Sequence, residues 1–291
     1  MVCGGAALAG ALVILLSSGA LTNRAEPAVY TAISLPPVSD PWQGDEPQCV
    51  KLPPEELATG QVGKATWQAW IPGVRFSQGE RWLSVVKPGA GRTALRQAFE
   101  PSEEGSPRVL VGATLPAART YRVVQSVYFE PEFEWGGAEN QGGKFGFGLG
   151  GGTSPSGGTM DPAGFTARWM WRGNRDGTAR LAVYSYAADR PKQYGEDLYL
   201  GDALVPTGRW AELVMELTTN TTIDSADGSL RAWVDGEPAL ELDGMRWQSA
   251  GAPPVIDNLT YAAFYGGNDP SWSPGGTTHM QVRDVCWAAM P

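Results

Sequence analysis

The chain has 291 residues, enough for one large domain, and only 18% of them are charged, while 38 are glycine, 23 proline and 12 tryptophan. Glycine and proline supply turn dihedrals and tryptophan packs on pleated surfaces, so the composition reads as many short strands joined by tight turns. The net charge of −9, with no basic stripe, argues against nucleic acid as a partner. A single histidine, His279, excludes a histidine metal cluster and leaves any histidine acid–base work to that one residue near the C-terminus.

Residues 5–20 form an apolar, small-residue run. They have the outline of a secretory signal peptide spanning residues 1–25, although no basic segment precedes them; a signal anchor is the alternative. Cys3 stands before the apolar run rather than closing it, which disfavours a lipoprotein. Residues 26–48, rich in proline and acidic side chains, read as a linker to a domain over residues 49–291. The expected product is a secreted monomer with no membrane association once the signal is removed. Two cysteines then remain, Cys49 and Cys286. In an oxidising compartment they pair and tie the first strand region to the last, a loop worth about 4–5 kcal/mol in the chain-entropy account. Asn220-Thr221-Thr222 and Asn258-Leu259-Thr260 are glycosylation sequons, meaningful in a eukaryotic host.

Strand signals follow in chain order near Trp67–Ile71, Trp82–Val86, Arg92–Phe99, Arg122–Phe129, Lys144–Leu149, Phe165–Trp171, Ala179–Ala187, Trp210–Thr218, Leu230–Val234, Ala239–Leu242, Thr260–Tyr265 and Met280–Trp287. In Trp210–Thr218 the residues Ala211, Leu213, Met215 and Leu217 share one face, the pattern of a half-buried antiparallel strand. Asp235-Gly236 supplies the positive dihedrals of a tight hairpin. No long stretch has a 3.6-residue period, so helix is expected to be scarce, with Pro54–Leu57 the best short turn.

Three of these strands carry polar groups on one face. Lys144, Gly146 and Gly148 alternate with Phe145, Phe147 and Leu149, so the lysine face has a glycine floor on which a chain-like ligand can lie. Thr166, Arg168, Met170 and Arg172 lie opposite Phe165, Ala167, Trp169 and Trp171. Tyr184 and Tyr186 share a face with Ser185 behind. Taken singly, paired tyrosines are ordinary cross-strand packing and a strand lysine is an ordinary edge residue. Together they make a cationic, phenolic surface that suits an acidic polymer despite the net negative charge.

Gly142-Gly143-Lys144, Thr166-Ala167-Arg168-Trp169-Met170-Trp171-Arg172, Tyr184-Ser185-Tyr186 and Phe264-Tyr265-Gly266-Gly267, followed by Ser271-Trp272, occur in that order. In this the chain resembles polysaccharide lyase family 14, over about residues 121–287. The resemblance implies an all-β jelly-roll sandwich of two antiparallel sheets with a concave substrate cleft, and an acidic polysaccharide, glucuronan or alginate, as substrate. It carries catalytic roles onto Lys144, Thr166, Arg168, Tyr184 and Tyr186, the Thr166 hydroxyl positioning the sugar rather than reacting. Substrate binding is expected of Thr166, Arg172, Gly146, Gly148 and Trp272, and no metal or other cofactor is called for. Four departures stand out: threonine replaces the family's usual serine at 166, the proline after the lysine is missing, Ala138–Gln141 reads as an insertion, and the spacing from Arg168 to Tyr184 is longer by a few residues.

β-Elimination of a 4-linked uronate needs the carboxylate neutralised, a base for the C5 proton and an acid for O4. Arg168 suits the first role, since a guanidinium grips a carboxylate with two donors. A tyrosine suits the other two if neighbouring cations lower its pKa, with Lys144 supplying that field or acting as the base itself. Two rivals share the fold. One is a sugar-binding module that stacks rings on Trp135, Trp169, Trp171 and Trp272. The other is a glycoside hydrolase, for which Glu130, Glu132 and Glu134 offer carboxylates, though Pro131 interrupts their alternation.

Overall fold

The computed structural model describes residues 29–30, 33–42, 46–89, 92–136 and 141–291. The expected signal segment, the first part of the linker and residues 138–140 of the insertion lie outside the described residues.

In chain order the strands are β1 (Val29–Tyr30), β2 (Gln48–Cys49), β3 (Val74–Gln78), β4 (Leu83–Val86), β5 (Ala94–Phe99), β6 (Val109–Ala118), β7 (Thr120–Phe129), β8 (Gly142–Lys144) and β9 (Phe147–Gly152). They continue as β10 (Gly164–Gly173), β11 (Ala179–Tyr186), β12 (Glu196–Leu204), β13 (Trp210–Thr218), β14 (Gly228–Val234), β15 (Glu237–Met245), β16 (Ile256–Tyr265) and β17 (Thr278–Ala289). Two sheets result. The first runs β1-β15-β14-β13-β7-β17-β5-β4, with β2 on β17. The second runs β12-β11-β10-β8-β16-β6-β3, with β9 continuing the line of β8 between β10 and β16. The strands named in these sheets pair antiparallel, and the chain folds as a β-jelly-roll sandwich.

The period-two patterns decide which faces meet. Ala211, Leu213, Met215 and Leu217 of the first sheet are buried, as are Phe165, Ala167, Trp169 and Trp171 of the second. Phe129 meets Phe133, Phe145 and Trp171 edge to face, as Trp171 meets Tyr265, while Phe133 stacks on Tyr265, geometries that aromatic quadrupoles prefer. Asp235 and Gly236 both have positive φ, at 52° and 82°, and turn β14 into β15. Cys49 faces Cys286 in the β2–β17 ladder and the two are disulfide-bonded.

Four expectations differ from the fold. Trp67–Ile71 is not a strand: Lys64–Trp70 is a helix, α1, because Trp67, Trp70 and Ile71 fall at i, i+3 and i+4 and bury one stripe. Pro54–Leu57 forms no helical turn, and Leu57 instead bridges to Val85. The single strand expected at Lys144–Leu149 is broken after Lys144 by Gly146, whose φ of +70° is a left-handed conformation. Residues 33–42, expected as free linker, pack on the outer face of the first sheet. There Leu35, Val38 and Trp42 cover Val124, Val214 and Trp233, and the Trp233 indole donates to the Pro36 carbonyl. Strands β1, β2, β3, β6 and β12 had no counterpart in the sequence reading. Asn220 and Asn258 are both buried, at 0% and 3% exposure, so the folded chain presents neither sequon.

Candidate active site

The outer face of the second sheet gathers the polar residues. Lys144 on β8 is opposite Met170 of β10 on one side and Phe264 of β16 on the other. On β10 and β11, Thr166 pairs with Tyr186 and Arg168 with Tyr184. The β12 partner of Tyr184 is Asp197. Strand alternation and antiparallel register thus bring Lys144, Arg168 and Tyr184 from three strands onto one patch.

Lys144 points its ammonium at two aromatic faces, 4.4 Å from the Tyr184 ring centre and 5.0 Å from that of Phe264. Burial lowers its pKa to about 7, and the charges of Arg168 and Arg172 add to that effect. Arg168 is as buried as Lys144, each with 9% exposure, and its Nε finds no hydrogen-bond acceptor. Burial lowers the guanidinium pKa to about 10, so it stays charged at neutral pH. Neither cation forms an ion pair among the described residues.

Tyr184 departs from expectation. Burial, followed by the adjacent Tyr186 phenol, raises its pKa well above the ordinary value instead of lowering it. The cations do not offset the loss of water around the phenolate. Tyr186 lies behind it, ring centres 5.5 Å apart, and its oxygen accepts from the Gly158 N–H at 3.0 Å. Arg190 stacks 4.7 Å from the Tyr186 ring. It also donates to carbonyls of Ala187 and Thr159, clamping the 153–163 loop to that following β11.

Three expected binding residues are engaged otherwise. The Thr166 hydroxyl, 1% exposed, donates to the Pro155 carbonyl at 3.1 Å and anchors a loop. Arg172 grips Asp197 with two bonds of 3.0 Å, so its charge is already compensated. Gly146 faces the interior: an ideal Cβ there would lie 2.4 Å from the Gln125 amide oxygen, and the kink at this residue is what turns it away from the patch. Gly148 remains on the outer face, paired with Thr260 and close against the Arg168 backbone. Trp272 is half-buried with its indole against Gly266 and Gly267, just beyond the C-terminal end of β16. Trp169 and Trp171 are fully buried and Trp135 nearly so, which removes them as stacking platforms. His279 lies outside this patch, 3.4 Å from Glu130, which also binds Arg96.

Sequence reasoning missed Asp197, Arg190 and the Gly158 amide. Asp197 sits on a strand whose pattern went unread, and the other two act through contacts that have no local signature. Phe264 was visible only as part of a motif.

The sequence profile of polysaccharide lyase 14 matches residues 111–285. Among solved structures the chain is similar to the alginate lyase Aly36B, at 22% identity and a TM-score of 0.68 over 80% of this chain and 96% of that one. It is also similar to the marine alginate lyase from Aplysia kurodai, at 19% and 0.62 over 82% of this chain and all of that one. A third likeness is to the endo-β-1,4-glucuronan lyase from the fungus Trichoderma reesei, at 12% and 0.52 over 76% and 92%. No curated protein matches by sequence. At these identities the structural likenesses establish the fold, while the profile covers more than half of the chain and includes every strand that carries the patch: the chain belongs to polysaccharide lyase family 14.

Proposed function

We propose that this polysaccharide lyase is secreted and cleaves a 4-linked polyuronate by β-elimination at the Lys144–Arg168–Tyr184 patch. The observation that carries the reading is the pair of buried cations, Lys144 and Arg168, with no counter-ion among the described residues. Burying an unpaired charge is expensive, and an anionic ligand offsets that cost where a structural residue would not. Arg168, with an unused donor, binds the uronate carboxylate and stabilises the charge that develops on it.

The acid and base follow from the two perturbed groups. The Lys144 amine is deprotonated in about half of the molecules at pH 7, given its pKa of about 7. It takes the C5 proton, and the released electron pair forms the C4–C5 double bond. As the C4–O4 bond breaks, O4 takes the phenolic proton of Tyr184, which remains protonated at neutral pH. A return of the proton from lysine to tyrosinate restores both groups. Tyr186 holds the Tyr184 ring and does not react. Phe264 and Met170 keep water from the amine. The lyases named above act on alginate and on glucuronan; both are 4-linked uronates, and this patch accommodates the carboxylate common to them.

A panel of alginate, glucuronan and neutral glucans, read by ultraviolet absorbance of the unsaturated ends, tests the reading. The wild type should release unsaturated uronides and Arg168→Ala should not. Absence of such products from every polyuronate would sink it.

A further inference from the structure

The register of the second sheet aligns one row of residues across five strands beyond the acid–base pair. Starting at Tyr184, the row runs to Arg168, whose backbone lies against Gly148 one residue beyond the last β9–β10 pair, Ala167 with Leu149, and from Gly148 through Thr260 and Gly112 to Phe76. Between the Arg168 guanidinium and Phe76 no side chain larger than threonine stands in this row. The Phe76 ring is one of the few large apolar groups left in water, 46% exposed. It packs over Gly112, where an ideal Cβ would sit 2.2 Å from its ring. The glycine is what lets the ring come this close to the sheet. At about 4.8 Å per strand, the four steps from β10 to β3 span about 19 Å, more than a single sugar.

We infer that Phe76 is the far platform of the substrate cleft, stacking a uronate ring of the same polymer whose carboxylate Arg168 binds. The inference rests on the polyuronate reading above and adds a second anchor to it. An exposed ring lying on the floor in line with a buried, unpartnered guanidinium matches a pyranose chain, which offers apolar C–H faces along its length and carboxylates at intervals. The small floor between them leaves room for the intervening sugars. The platform makes affinity depend on chain length, because a short oligouronate held at Arg168 does not reach β3.

The test is calorimetric binding of purified oligouronates of graded length to the catalytically silenced Tyr184→Phe chain, with and without Phe76→Ala. We expect affinity to rise with length and Phe76→Ala to remove that rise, weakening the longest oligomers about five- to tenfold and the shortest not at all. Phe76→Trp should keep the rise, which guards against a folding defect in the alanine variant. Equal weakening at all lengths, or none at any, overturns the platform. Cleavage is read separately on the wild type. A length-dependent, Phe76-dependent affinity without unsaturated products would refute the elimination chemistry and uphold the platform. Failure of every oligouronate to bind would refute both.

Discussion

Replacing Lys144 by methionine should stabilise the fold while abolishing turnover. Methionine fills nearly the same volume without a charge, so the comparison isolates the cost of burying the ammonium. The amine moves from an ordinary 10.5 to about 7 on folding. Each tenfold change in proton affinity is worth about 1.4 kcal/mol, so at pH 7, with half of the folded molecules already deprotonated, the penalty is about 4 kcal/mol. The sign follows from proton counting. Between pH 7 and 10.5 the unfolded lysine holds a proton that the folded one has lost, so wild-type stability rises with pH relative to the variant. The gap is near its maximum below pH 7 and closes toward pH 10.5. Urea unfolding of both proteins from pH 6 to 10, with unchanged dependence on denaturant, reads it directly. A methionine variant that is less stable, or a gap that does not move with pH, would refute the reasoning and return Lys144 to an ordinary packed side chain.

Because Lys144 works as the free amine, kcat/KM on a polyuronate should rise about tenfold per pH unit below pH 7 and level off above it; a fall through the same range would mean that the ammonium is the active form. Tyr184→Phe removes the proton donor alone and should lower kcat by about 10²-fold or more with far-ultraviolet dichroism unchanged, whereas a near-normal rate would assign the acid elsewhere. The Cys49–Cys286 disulfide closes a loop of 237 residues, so the double serine variant should lose about 5 kcal/mol of unfolding free energy. Two reactive thiols in the denatured, unreduced protein would show instead that the bond does not form. Arg172 is neutralised by Asp197, so Arg172→Gln should impair turnover less than Arg168→Ala; the reverse order in kcat/KM would exchange their roles.

Alternation in the sequence was enough to sort faces within a strand. Trp169 and Trp171 were assigned inward and Thr166, Arg168 and Met170 outward from spacing alone, because successive side chains of a strand point to opposite sides. The same rule failed at two places where the backbone leaves the strand. Trp67, Trp70 and Ile71 are helical, and Gly146 turns inward because its positive φ breaks the alternation that would have put it on the cleft floor.

The pairing of the cysteines was legible because only two follow the apolar run of residues 5–20, while the site's electrostatics were not. Whether a cation is free depends on what faces it from another strand. Asp197 claims Arg172 from β12, the Pro155 carbonyl claims the Thr166 hydroxyl from a loop, and among the described residues no acceptor meets the Arg168 Nε. The expectation that nearby cations would lower the tyrosine pKa had the right neighbours, but burial, which only packing sets, outweighs them. The chain's own pattern therefore determined the all-β class, the sidedness of its strands and the residue types of the patch. Tertiary structure decided which of those residues are unpaired, and set the row that runs from Arg168 to Phe76. Strand register joins residues 92 positions apart in that row, and no local spacing encodes it.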